Sequence, residues 1–164
     1  MHRRRVVVTG IGALTPIGNT KDAFWNGLVS GTSGAAPITH FDASKFKTQF
    51  ACEIKNFDAQ EHFDRKEARK MDRFTQYAMV ASDEAVHDAG LDLEKIDKAK
   101  VGVIWGSGVG GLETFQNEVL NFASGEGTPR FNPFFIPKMI ADIAPGMISI
   151  KSVSYTHLRA HETS

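Results

Sequence analysis

The chain has 164 residues, 41% hydrophobic and with twelve Phe, so it carries enough apolar surface for a folded core and is not a disordered tail. Lys+Arg and Asp+Glu both number 19, and the resulting zero net charge excludes a whole-surface attraction to nucleic acid or acidic lipid. A single cysteine, Cys52, excludes an intrachain disulfide and fits a reducing cytoplasm, and no apolar run approaches the ~18 residues of a membrane span.

The opening MHRRRVVV mimics a signal peptide, but Gly10, Gly12 and Pro16 break the apolar region early, so residues 4–9 are expected as a buried parallel strand ending in a glycine turn. Asn19 or Thr20 can cap a helix that runs to Ser30, with Ala23, Phe24, Gly27 and Leu28 as its apolar stripe and Gly31 as its stop. After a turn-rich connection, residues 49–54 alternate as a half-exposed strand with Phe50 and Cys52 on one face, which makes Cys52 a small core hydrophobe. Over residues 71–89, Phe74, Tyr77, Ala78, Ala81, Ala85, Val86 and Ala89 recur at three- and four-residue steps and predict an amphipathic helix ended by Gly90. Residues 100–105, KVGVIW, predict another buried strand, GSGVGG a turn, and residues 112–122 a helix. The segment PFFIP, 133–137, precedes a last helix over 138–150. Helices alternating with strands imply an α/β class in which a layered sheet is packed by helices.

Two local patterns bear on function. Gly106, Gly108 and Gly111 match G-x-G-x-x-G between a strand and a helix, as a dinucleotide-binding oxidoreductase would require. That fingerprint belongs to a first βα unit and needs an acidic residue ~20 positions on at the end of a second strand, whereas Glu126 sits in a loop. Glycines that permit tight turning and close packing are the simpler reading. The second pattern is RKEARKMDR, 65–73, with five basic and two acidic residues. Helical spacing puts Lys66, Arg69, Lys70 and Arg73 on one side, either as a solvated face or as a dock for an acidic partner in a non-catalytic binding module. A nucleophile–base pair is not evident: no Ser sits in G-x-S-x-G, and His40, His62 and His87 stand singly in three segments.

Taken together, RRVVVTGIGALTPIGNT, GTSG, HFD, RKEARKMDRFTQYA, WGSGVGGLETF and NPFFIPKMI closely resemble the β-ketoacyl-acyl-carrier-protein synthases of type II fatty-acid elongation, in order and over nearly all of residues 3–151. The resemblance implies the thiolase-like fold, two pseudo-symmetric α/β halves stacked as layers, in a homodimer that receives an acyl group on a cysteine, decarboxylates malonyl carrier protein and joins the two. It implies no cofactor and no metal, and acyl carrier protein as partner rather than nucleic acid or membrane. Val109 falls where the family places a branched gate to the acyl pocket, and Phe135 and Ile136 where it inserts apolar side chains into the partner subunit's acyl channel. Lys66, Arg69 and Lys70 match positions that contact the acidic carrier protein, and Arg130 is a further candidate whose loop is one residue longer than the pattern. A polyketide-type ketosynthase or chain-length factor shares these blocks.

In the family the nucleophilic cysteine follows shortly after the position of Lys151 and the two catalytic histidines come much later, so residues 1–151 are expected to form a partial N-terminal ketosynthase domain without catalytic residues. Such a piece would leave apolar faces and open sheet edges uncovered. Residues 152–164, SVSYTHLRAHETS, carry His157 and His161 at metal-ligand spacing but no apolar stripe, so the histidines are expected to be solvated. SYTHLRAHET resembles one reading frame of a transposon-end adapter, and this segment is expected to be a non-native tail.

Overall fold

The computed structural model describes residues 5–125 and 130–152. They fall into two compact units, residues 5–58 with 80–91, and residues 59–79 with 92–125 and 130–152. Along the chain the elements are α1 (Lys21–Val29), β1 (Ala36–Pro37), β2 (Phe50–Ala51), α2 (Arg65–Ala68), α3 (Arg73–Asp88), α4 (Leu112–Ser124), α5 (Phe135–Met139) and α6 (Ile143–Ser152).

In the first unit, α1 begins where expected: Thr20 is extended and its hydroxyl accepts the Ala23 N–H at 3.2 Å. Ser30 caps the other end, and Gly31 follows at φ +67, a conformation open to glycine at little cost. Of the predicted stripe only Gly27 is buried, against Ile17, while Trp25, Leu28 and Val29 are exposed. The N-terminal segment lies against the second half of α3 with almost no separation. A Cβ on Gly12 would fall 1.8 Å from the Ala81 carbonyl oxygen, and one on Gly10 2.3 Å from that of Ala85. Two carboxylates of α3 then hold the segment by its backbone: Glu84 accepts the N–H groups of Ala13 at 2.8 Å and Lys21 at 2.7 Å, and Asp88 accepts that of Ile11 at 2.9 Å. Asp88 also pairs with the Lys21 ammonium. That hydrogen bond, followed by the Ile11 N–H, holds the Asp88 carboxyl below its ordinary pKa, and the same partner raises Lys21. The C-terminus of α3 closes as a Schellman turn, with Leu91 N–H on the Val86 carbonyl, Gly90 N–H on that of His87, and Gly90 at φ +61.

The strands depart from expectation. Residues 5–9 and 101–107 form no ladder, and Val6, Val8 and Ile104 are 90%, 81% and 82% exposed. Their β-branched side chains favour strands, but a strand needs a neighbour to accept its backbone hydrogen bonds, and none of the described residues supplies one. The one sheet among the described residues is the antiparallel pair β1–β2, with Ala36 opposite Ala51. Cys52 therefore lies just past a two-residue strand and is exposed, not in a core as expected, and Phe50 is 63% exposed.

In the second unit the buried side chains among the described residues include Phe63, Met71, Asp72, the first half of α3 (Thr75, Gln76, Ala78, Met79) and α6 (Ala144, Pro145, Ile148, Ser149). The Thr75 hydroxyl is buried with no hydrogen-bond partner among the described residues. The helix expected over 138–150 is two, α5 and α6. Each tolerates its proline, Pro137 or Pro145, because it stands in the first turn, where an N–H would have no intrahelical acceptor. Helix α4 packs on α5 and α5 on α6, yet α4 buries none of its own residues. Ser152 ends α6, and the rest of the expected tail, with His157 and His161, lies outside the described residues.

Candidate functional site

The basic stripe, the glycine turn and the PFFIP segment all belong to the second unit. The stripe, read on helical spacing, does not lie on a single helix. Asp64 caps the short helix α2, its Oδ1 accepting the N–H groups of Lys66 at 2.7 Å and Glu67 at 2.8 Å, and the helix ends at Ala68. Arg69 and Lys70 follow in a turn, and α3 starts afresh at Arg73 with Asp72 before it. Arg73 is thus on a different element from the other three cations, and Lys66, Arg69 and Lys70 stand exposed together on the α2 segment. The Gln76 side-chain amide donates to the Ala68 carbonyl at 3.0 Å and ties the end of α2 to α3. Tyr77, half-buried on α3, has its phenol pKa raised, chiefly by desolvation.

Val109 is 69% exposed in the turn that leads into α4. Among the glycines of that turn, Gly106 and Gly108 have open space around them, whereas Gly110 and Gly111 are tightly enclosed. Gly110 has φ +84 and a Cβ there would meet the Met139 carbonyl at 2.3 Å; one on Gly111 would meet the Lys138 carbonyl at 2.3 Å and Asp72 Oδ2 at 3.0 Å. The Gly111 N–H donates to the Met139 carbonyl at 3.0 Å. Gly110 and Gly111 therefore allow the backbone to pack closely against the end of α5. The expected strand before the turn is unpaired among the described residues.

The tip is built on Asn132. Its Oδ1 accepts the Phe134 N–H at 2.9 Å, its carbonyl accepts the Phe135 N–H at 2.8 Å, and its own N–H donates to Glu118 of α4 at 3.0 Å. Phe135 stacks on Phe115 at 6.3 Å and on Phe131 at 5.7 Å between ring centroids, and Phe131 stacks on Phe122 at 5.3 Å. Phe135 is half-buried by these contacts and Ile136 remains 54% exposed. The Lys70 ammonium lies 5.8 Å from the Phe134 ring centroid, which brings the stripe and the tip together. Arg130 is exposed ahead of Phe131. Asp72 and Thr114, missed by the sequence reading, join the stripe to the turn: the Thr114 hydroxyl donates to the Asp72 carboxylate. The available signal was Asp72 as a helix-capping residue before the periodic stretch.

The family profile described as Beta-ketoacyl synthase, N-terminal domain, matches residues 3–155. This chain belongs to that family. The curated relative 3-oxoacyl-[acyl-carrier-protein] synthase 2 of Synechocystis is 45% identical over 150 residues, covering 92% of this chain and 36% of the relative. Its Staphylococcus aureus (strain COL) namesake is 46% identical over 149 residues, 91% of this chain and 36% of the relative. The chain thus spans about a third of the length of the β-ketoacyl synthases it matches. Among solved structures, a type II polyketide acyl-carrier protein in complex with its ketosynthase bound to the hexaketide aligns with TM-score 0.74 and 26% identity, over 92% of this chain and 39% of that one. The ishigamide ketosynthase/chain length factor aligns with TM-score 0.74 and 30% identity, over 91% and 37%. These likenesses bear out the ketosynthase fold, of which this chain covers a part.

Proposed function

We propose that this chain is the leading part of a β-ketoacyl-acyl-carrier-protein synthase of fatty-acid elongation, acting in the cytoplasm as a homodimer on acyl carrier protein thioesters. The observation that carries the reading is that three segments distant in sequence, the cations of α2 and the turn after it, the Val109 turn and the Phe135–Ile136 tip, gather in one unit of a chain that is 45% identical to a synthase of that name. In this reading Lys66, Arg69 and Lys70 dock the acidic carrier protein, Val109 gates the acyl pocket, and Phe135 and Ile136 reach into the partner subunit's channel. Dimerisation is supported by the exposed apolar face of α4 and the tip, which includes Leu112, Leu120 and Ile136 at 59%, 56% and 54% exposure. The nucleophilic thiol and the decarboxylation bases would come from the two thirds of the relatives' length that this chain does not span. Cys52, with no helix N-terminus to activate it, stays inert.

The test replaces the matching leading third of the Staphylococcus aureus relative by residues 1–151. Condensation of malonyl carrier protein with an acyl primer by this fused synthase is the expected result; a folded, dimeric but inactive fusion would overturn the assignment. Intact-mass measurement of the 164-residue chain after incubation with acyl carrier protein thioester should show no adduct, and a stoichiometric adduct on Cys52 would refute the inert role. A polyketide ketosynthase is favoured by the likeness to polyketide enzymes, but at 26% and 30% identity against 45% and 46% for the fatty-acid synthases.

A further inference from the structure

We propose that Asp72 and Thr114 are positioning residues that fix the glycine turn, and with it Val109, so that acyl-chain selection is set from the end of the carrier-docking segment. The inference rests on the reading of Val109 as a gate and of the α2 cations as a dock. Asp72 is 9% exposed and its carboxylate is divided between two tasks. Oδ1 accepts the Phe74 N–H at 3.3 Å at the start of α3, and Oδ2 accepts the Thr114 hydroxyl in the first turn of α4.

Helix α4 needs this outside support. Its N-cap is Gly111, which has no side chain to satisfy the first N–H groups and forms no side-chain cap. The joint between turn and helix is instead clamped from two sides, by Asp72 through Thr114 and by the Met139 carbonyl through the Gly111 N–H at 3.0 Å. Beyond Gly110 the turn is open: a Cβ on Gly106 or Gly108 would meet nothing within 4 Å, and Val109 is 69% exposed. Slack at Gly111 is passed through Gly110, which packs on the Met139 carbonyl and Ala141, to the Val109 side chain two residues away. Both jaws lie beside the proposed dock, since Asp72 follows Lys70 by two residues and Lys70 sits over Phe134, which opens the helix that ends at Met139. A carrier protein that pulls on Lys70 pulls on both.

The experiment uses the fused synthase with Thr114→Val, which keeps the shape and removes the hydroxyl, and Thr114→Ser, which keeps the hydroxyl. Amide exchange over residues 110–112 should quicken about tenfold in Thr114→Val and stay near the parent in Thr114→Ser. The ratio of kcat/KM for long and short acyl primers should change by about threefold or more in Thr114→Val and return in Thr114→Ser. Unchanged exchange would overturn the clamp. Faster exchange with an equal fall for every chain length would make Thr114 a structural brace only and overturn the positioning role. Val109→Phe separates the underlying reading: a flat chain-length profile there means that Val109 is not a gate, whereas the exchange result still decides the clamp.

Discussion

Gly12→Ala is the sharpest test of the first unit, because the methyl group it adds has nowhere to go. Its carbon would lie 1.8 Å from the Ala81 carbonyl oxygen, 2.8 Å from the Ala81 carbonyl carbon and 2.9 Å from the Ala85 nitrogen, all backbone atoms of α3 that no rotamer change can move. Overpacking against a rigid backbone costs about 2 kcal/mol. Pushing the segment off α3 also stretches the 2.8 Å hydrogen bond from Ala13 N–H to Glu84, worth about 1 kcal/mol. The sum is about 3 kcal/mol, which at a urea m-value of about 2 kcal/mol/M lowers the midpoint by about 1.5 M. Gly146→Ala is the matched control: Gly146 lies inside α6 with no neighbour within 4 Å of a Cβ, so the exchange removes glycine's helix penalty and should stabilise by about 0.8 kcal/mol. Urea titration of the 164-residue chain by far-ultraviolet circular dichroism reads both. A Gly12→Ala midpoint within about 0.3 M of the parent would refute the claim that this backbone contact is unyielding.

In the fused synthase, reversing Lys66 and Arg69 to Glu should weaken carrier-protein binding about tenfold and flatten its salt dependence, with far less effect on a small carrier-free thioester; equal loss on both would point to misfolding. Val109→Phe should cut kcat/KM for long acyl primers about tenfold more than for short ones, read from paired primer assays. Thr75→Val removes a buried hydroxyl that has no partner among the described residues and should raise the urea midpoint by the equivalent of about 1 kcal/mol; a fall would mean that the hydroxyl is bonded. Stability should be flat near neutral pH and fall at both extremes. Asp88, held below its ordinary 3.8, supports the fold above that value and loses this as pH drops through the lower folded value, while Lys21, raised above 10.5, supports it below that and loses it as pH climbs past the folded value. Lys21→Met should blunt both limbs in a midpoint-versus-pH series, and an unchanged profile would show that the exposed pair is screened to nothing.

Helices were legible in the sequence because their signals are local. Thr20 ahead of α1, Gly31 behind it and Gly90 behind α3 all act where the sequence puts them, since a cap bonds a backbone group two or three residues away. The same chemistry explains the error in the stripe. Helical spacing was read across 65–73 as one face, but Asp64 and Asp72 each start a helix of their own, α2 and α3, with the break at Arg69–Asp72. Of the three expected strands, the one over 49–54 survives in part as β2, and the other two stand unpaired for the opposite reason. A run such as VVV at 6–8 states a preference, but a ladder is a relation between two segments, and the second has no trace in the first.

The same distinction divides the site. Its parts were legible as local motifs: three cations on a short capped helix and the turn after it, a branched side chain in a glycine turn, an aromatic tip between prolines. Their assembly was not, because it depends on bonds between residues far apart, and Asp72 to Thr114 spans 42 positions. Neither residue is unusual in its own neighbourhood, where an aspartate before a helix reads as a cap and a threonine in a helix's first turn as a surface residue. Only their meeting makes a carboxylate that serves two helices at once. That economy has a physical consequence: Asp72 cannot be shifted to improve one helix without loosening the other. The start of α3, the uncapped start of α4 and the turn bearing Val109 are thereby placed under one constraint, which an apolar contact of equal area, being non-directional, could not impose.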